Sequence, residues 1–309
     1  MKLRGMHHIT MITGDAAQNV SFYADVLGLR LVKKTVNFDA PEAYHLYFGD
    51  EQGSPGSILT WFEFAGTRRG RPGAGMIHTI QLGVASRESL DFWAQRLAAR
   101  GYASQPGDRS LSFDDYDGLH LELVVAGDGN PPLRAVHPEV PAEHAILGVE
   151  GARAYVASDL DADRDLLTTT LGFTDLGEGE YRLDGDERSF HWRYDRSSER
   201  GTPGAGTVHH IAWHSPDEDH VSWQQHVAQA GMQVTPVIDR DYFNAIYFRQ
   251  PQGILFEIAT TSPGFAVDED PDHLGEELRL PKQHEHLRPQ LERLLNPLSN
   301  PRAAARQVA

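Results

Sequence analysis

The heptapeptide Arg69-Gly70-Arg71-Pro72-Gly73-Ala74-Gly75 returns as Arg200-Gly201-Thr202-Pro203-Gly204-Ala205-Gly206, with one substitution and an offset of 131 residues. In a chain of 309 residues, a repeat at that spacing places each copy at an equivalent point of a duplicated architecture. A glycine-rich run can cradle phosphate. Neither copy continues into Gly-Lys-Ser/Thr, however, and each leads into an apolar, β-branched run rather than a helix. Both stretches therefore read as linkers between repeated units.

Four units follow one order: a short strand, an amphipathic helix, then further strands. Val20, Tyr23, Val26 and Leu27 have helical spacing before Gly28, Leu90, Trp93 and Leu97 before Gly101, and Leu160, Leu166, Leu167 and Leu171 before Gly172. In the fourth unit Ser215-Pro216-Asp217-Glu218 reads as a capping box leading through Val221, Trp223 and Val227 to Gly231. With His8, Thr79, Gly151 and His210 set as equivalent, the stop glycines fall 20, 22, 21 and 21 residues later. The closing strands align through Gly118 to Glu122 and Gly253 to Glu257, each glutamate four residues past its glycine, and the same offset from Gly56 gives Thr60. In the third unit His191 falls on the expected last strand, without a fixed register. The expected fold is α+β, with four βαβββ modules forming two half-barrel sites. Residues 1–126 hold two modules, 127–147 a linker and 148–262 two more. Residues 263–309 supply a covering loop, a helix with Leu287, Leu291 and Leu294 or Leu295 on one side, and a tail whose last ten residues should be mobile.

The excess of 44 acidic over 28 basic residues gives a formal charge of −16, which opposes nucleic acid and anionic membrane surfaces. No apolar run reaches the roughly 20 residues of a membrane span and the N-terminus lacks an apolar signal stretch, so a cytoplasmic location is expected. With no cysteine, any metal must be held by nitrogen and oxygen.

Two histidine doublets, His7-His8 and His209-His210, open equivalent strands. A doublet among 16 histidines is by itself compatible with ordinary hydrogen bonding. Glu257, between Phe256 and Ile258, needs a partner because a buried isolated charge costs several kcal/mol; a salt bridge to Arg240 or Arg249 would serve as well as a metal. Pairing modules one and two yields one histidine and Glu122, and pairing three and four yields His210 and Glu257. Only modules one and four together yield His8, His210 and Glu257, a triad that leaves coordination positions open as in mononuclear non-haem Fe(II) centres.

These residues resemble the vicinal oxygen chelate superfamily, which includes glyoxalase I, extradiol dioxygenases and antibiotic-resistance proteins. More closely, Met6-His7-His8-Ile9-Thr10, Tyr44 to Glu51, Pro55-Gly56, Val208 to Trp213, Asp239 to Phe248 and Pro263-Gly264-Phe265-Ala266 resemble ring-cleaving dioxygenases acting on hydroquinones, over almost the whole chain. The resemblance implies a metal shared by modules one and four, Fe(II) with some members accepting Mn(II), and extradiol-type opening of a hydroquinone or catechol ring. Its partners would be an aromatic diol and O2, with assembly into a homo-oligomer left open. It also implies supporting roles for His7, Thr10, His209, Arg240 and Tyr247, with His209, Tyr247 and Arg240 as candidates for proton transfer and charge stabilisation. Strand alternation, in contrast, turns His7 and His209 away from the metal. Tyr247 would serve equally as a core tyrosine, His45 and His78 read as structural, and Trp213 as core or pocket wall. A Zn(II) or Ni(II) glyoxalase-type enzyme would want a fourth ligand where Thr60 stands. A non-catalytic small-molecule binder on the same fold would need no acid–base groups.

Overall fold

The computed structural model describes residues 1–303 apart from 128 and 158; residues 304–309 of the expected tail lie outside the described residues. Module one comprises β1 (Met6–Thr13), α1 (Ala16–Val20) continued by a π-helical stretch at Ser21–Val26, β2 (Arg30–Val36), β3 (Tyr44–Gly49) and β4 (Ile58–Glu63). Module two comprises β5 (Met76–Val84), α2 (Arg87–Ala99), β6 (Ser104–Pro106), β7 (Ser110–Asp114) and β8 (His120–Val125). Module three has β9 (Val149–Val156), a π-helical turn at Leu166–Thr170, β10 (Thr174–Gly177), β11 (Glu180–Asp184) and β12 (Ser189–Arg196). Module four has β13 (Thr207–His214), α3 (His220–Gln229), β14 (Ile238–Asp239), β15 (Asn244–Arg249) and β16 (Leu255–Ala259).

The strands form two curled eight-stranded sheets, in the orders β14-β15-β16-β13-β1-β4-β3-β2 and β10-β11-β12-β9-β5-β8-β7-β6. Each sheet thus takes one module from each half of the chain. The opening strands meet antiparallel at the middle, β1 with β13 and β5 with β9, and β4 and β16 run parallel to β1 and β13.

All four stop glycines adopt positive φ, between 72° and 87°, so each helix ends where a side chain would be strained. Two helices differ from the sequence reading. Leu160 precedes the third module's helical turn, and the capping box does not form: Pro216 is followed by a 3₁₀ turn, while the Ser215 hydroxyl bonds Nδ1 of His220 at 2.9 Å. Val221 accordingly faces solvent at 59% exposure, whereas Trp223 and Val227 are buried.

The repeated linkers pair with each other through bridges Arg69–Ala205, Arg71–Thr202 and Ala74–Arg200. A Cβ on Gly73 would lie 2.2 Å from the Gly201 nitrogen, and one on Gly204 2.5 Å from the Arg68 oxygen. The glycines recur because two backbones cross there at contact distance.

The C-terminal segment covers the edge strand β2, with a bridge between Lys34 and Leu278. Buried Lys33 donates to Asp268 at 2.6 Å and to Glu269, and α4 (Arg288–Leu294) buries Leu291 with Leu295 just beyond it. Leu294 is exposed at 56% and Leu287 is partly buried. Contrary to a mobile end from residue 300, Asn300 is buried with its amide bonded to the Leu31 carbonyl, and Arg302 donates to Glu51. No helix among the described residues is long and apolar enough to cross a membrane.

Candidate metal centre

The opening strands carry an irregularity that the two-residue period does not predict. On β1, Met6 pairs with Trp213 and His8 with Ala212, so His7 is an extra residue; on β13, Thr10 pairs with His210 and Met11 with Val208, so His209 is extra. The same bulge falls at His78 on β5 and at Glu150 on β9. A bulge breaks alternation locally and re-aims side chains. Nδ1 of His7 therefore lies 2.8 Å from Nδ1 of His8, and Nδ1 of His209 lies 2.7 Å from Nδ1 of His210.

One set of tautomers lets both contacts form and leaves the nitrogens that face Glu257 open. In it the His7 proton sits on Nε2. His7 Nδ1 is then the acceptor, His8 Nδ1 the donor, and His8 Nε2 an open lone pair. The His209–His210 contact repeats the arrangement.

His8 Nε2 and His210 Nε2 lie 3.3 Å apart, and Oε2 of Glu257 is 3.5 Å from the first and 2.9 Å from the second. Both Glu257 oxygens are out of solvent, and neither has a hydrogen bond of acceptable geometry. Arg240 and Arg249 pair elsewhere, with Asp39 and with the Gly253 carbonyl, so neither forms an ion pair with Glu257. Burial alone would raise the Glu257 carboxyl. The His8 and His210 rings outweigh it and hold the group well below the usual carboxylate range. Burial also pushes His210 below its ordinary value, which favours the neutral ring a metal needs.

The donors fit a divalent cation. Three ligand atoms about 2.1 Å from one point and at right angles to one another stand about 3.0 Å apart, and the observed separations are 2.9, 3.3 and 3.5 Å. His8, His210 and Glu257 form the one such cluster among the described residues. Thr60, in the fourth slot, is held by Thr10 at 2.9 Å and by Nε2 of His45 at 2.8 Å, so its hydroxyl is already engaged.

The triad closes the inner end of a cavity of about 390 Å³ that Arg240, Tyr247 and His209 also line. Nε of Arg240 donates to the Tyr247 hydroxyl at 3.2 Å. Burial, joined by the Glu257 charge, keeps that phenol well above its ordinary range. His7 packs behind His8 and Thr10 bonds to Thr60, so neither lines this cavity. His45, which reads from the sequence as structural, does line it, as do Phe38, Asp39, Phe62 and Phe243. No motif marks those positions. Trp213 is fully buried against Phe173, Phe190 and Phe256, and is core.

In the second sheet the equivalent slots are Thr79, Gly151, Glu122 and Arg193, the last two opposite Gln81 and Arg153 as Glu257 is opposite Ala212. Gln81 Nε2 donates to Glu122 at 2.8 Å, and Arg193 pairs with Glu180 at 2.6 Å. A guanidinium in a ligand slot opposes cation binding, and among the described residues this sheet holds no cluster that could take a metal. His191 lies on β12 as expected, two residues before the slot.

A family model described as the Glyoxalase/Bleomycin resistance protein/Dioxygenase superfamily matches residues 5–123 and 151–258. MhqO of Bacillus subtilis (strain 168), named as a candidate ring-cleaving dioxygenase, is 45% identical over 305 residues, covering 96% of this chain and 97% of that protein. The chlorohydroquinone/hydroquinone 1,2-dioxygenase of Sphingobium indicum is 32% identical, covering 96% and 97%. A solved Bacillus subtilis structure, described as a candidate dioxygenase, superposes with a TM-score of 0.90 at 44% identity, over 96% of this chain and 98% of that one. Glyoxalase I of Zea mays shares the fold at a TM-score of 0.58 and 14% identity, over 84% and 92%. With two half-barrel sheets, one cation cluster and these matches, the chain belongs to the Glyoxalase/Bleomycin resistance protein/Dioxygenase superfamily.

Proposed function

We propose that the protein is an Fe(II)-dependent, extradiol-type ring-cleaving dioxygenase that opens a hydroquinone or catechol ring with O2. The observation that carries the reading is Glu257: a fully buried carboxylate without hydrogen bonds, facing two imidazole lone pairs at the closed end of an aromatic-lined cavity. His8, His210 and Glu257 would hold the metal, which when bound supplies a common point for substrate and oxygen and acidifies a phenol. Relatives named for ring cleavage and for hydroquinones support the same substrate class.

The chain's own residues supply the rest. Phe38, Phe62, Phe243 and His45 wall a flat ring and exclude water. His209 has Nδ1 accepting from His210, so its neutral ring carries its proton on Nε2, which would donate to an oxygen of a bound substrate. Tyr247, held protonated by its burial, donates to a substrate oxygen, and Arg240 beside it stabilises developing negative charge. Thr60, already bonded on two sides, disfavours a four-ligand Zn(II) or Ni(II) glyoxalase-type centre.

The test is oxygen uptake by Fe(II)-loaded protein with methylhydroquinone and with catechol. One O2 consumed per ring opened, lost in Glu257→Ala, is expected. No uptake with any dihydroxybenzene, together with turnover of a hemithioacetal by the Zn(II) or Ni(II) form, would overturn the reading.

A further inference from the structure

The cavity mouth carries a charge pair, Arg240 and Asp39, and the proposed chemistry leaves Asp39 without a role. Arg240 comes from the loop between β14 and β15. Its guanidinium lies between the Phe38 ring at 5.5 Å and the Tyr247 ring at 5.3 Å, with Nε on the Tyr247 hydroxyl and Nη1 3.2 Å from Oδ2 of Asp39. The Arg240 side chain is 16% exposed and that of Asp39 77%, so the pair spans from the cavity wall to its rim. Both loops are held from behind by one segment. Gln283 Nε2 and His284 Nε2 donate to the Phe38 carbonyl at 2.9 and 2.8 Å, and the Lys282 amide donates to Asp241 at 2.8 Å. The two partners are thus fixed at short range.

Resting on the reading of this cavity as an aromatic diol site, we propose that Asp39 sets its charge selectivity. Paired with Arg240 across the mouth, it admits rings with neutral substituents and rejects rings bearing a carboxylate. The charged groups lining the cavity are Glu257 at the inner end and Arg240 and Asp39 at the mouth; the histidines, Tyr47 and Tyr247 complete the ionisable set. With Asp39 in place, Arg240 is neutralised and a second carboxylate at the mouth meets a like charge. Without Asp39, the Nη1 that it occupies becomes a charge-assisted donor open to a substrate carboxylate at the mouth. A purely structural Asp39–Arg240 pair would change affinity for both rings alike.

The test compares methylhydroquinone with (2,5-dihydroxyphenyl)acetate, the same diol with and without the anion. Binding to Fe(II)-loaded protein is measured under argon, where no turnover occurs. The wild-type chain should favour the neutral ring, Asp39→Asn should shift the affinity ratio toward the acid by about 3- to 5-fold, and adding Arg240→Gln should abolish that shift. An unshifted ratio in Asp39→Asn, a shift that survives in the double variant, or equal wild-type affinity for both rings overturns the proposal. Oxygen uptake by the same samples separates the two claims. A shifted ratio without uptake removes the dioxygenase reading alone, and uptake with an unshifted ratio removes the selectivity role alone.

Discussion

His7→Phe tests whether the bulge residue sets metal affinity without touching the metal. The His7 ring is 3% exposed and lies against the rings of Phe243 and His214, so phenylalanine fits the same apolar space. The substitution removes the acceptor for His8 Nδ1–H. The buried His8 ring then either leaves that donor unsatisfied or moves its proton to Nε2 and gives up the lone pair that faces Glu257. An unsatisfied buried donor costs about 1–3 kcal/mol, and loss of a hydrogen-bonded neighbour behind a metal-ligating histidine typically costs 10- to 100-fold in affinity; the two estimates coincide. His209→Phe removes the equivalent acceptor from His210, but His209 is exposed to the cavity and water can replace it, so its loss should stay below about 10-fold. His7→Asn restores an acceptor oxygen at the position of Nδ1 and should recover most of the affinity. The assay is metal binding at fixed pH under anaerobic conditions, with thermal unfolding of the metal-free forms as a control. If His7→Phe binds metal within threefold of wild type, or if His209→Phe is the more damaging change, the tautomer argument fails.

Three further outcomes follow from the same structure. Metal at about 100 times its dissociation constant should stabilise the wild-type chain by about 2.7 kcal/mol. With an unfolding entropy near 0.65 kcal/mol/K for 309 residues, this is about 4 °C in Tm; Glu257→Gln should lose the shift, and a full shift in that variant would refute the ligand assignment. Lys33→Met should cost about 2–4 kcal/mol in urea unfolding, because it leaves the buried Glu269 carboxylate with only Arg279, at 3.8 Å, as a counter-charge; a loss under 1 kcal/mol would show that the charges rehydrate. Burial pushes His78 down to about 4, against the pull of Asp195. Between pH 6.5 and 4 the unfolded chain therefore binds a proton that the native ring refuses, so stability falls as pH drops through that window, by up to about 3 kcal/mol. His78→Gln, which keeps a donor toward Asp195, should flatten that part of the profile in urea titrations at stepped pH; an unchanged slope would count against it.

Much of the centre was legible because it repeats. Equal spacing from opening strand to stop glycine put His8 and His210 in one column, and the apolar setting of Glu257 demanded a partner that the structure supplies as two imidazoles. The mouth was not legible. Asp39 sits in a loop with neither periodicity nor motif, and meets Arg240 only through a contact spanning 201 positions. The bulges were hidden for a different reason: a two-residue period assumes one-to-one pairing, and a single unpaired residue reverses its conclusion for the side chains beside it. His7, His78, Glu150 and His209 occupy the same bulged position, yet the position does different work in each module. In module two the His78 ring faces the Thr79 hydroxyl at 2.9 Å and is tied to Asp195 on its other side. In module three Glu150 is consumed by Arg188 and Asn130, and glycine follows it. Only in modules one and four does the bulged residue offer a ring nitrogen to a second imidazole. On the proposed reading each doublet is a unit of ligand and positioner, and the pair of adjacent histidines, rather than either one alone, marks the half that carries the candidate cation cluster among the described residues.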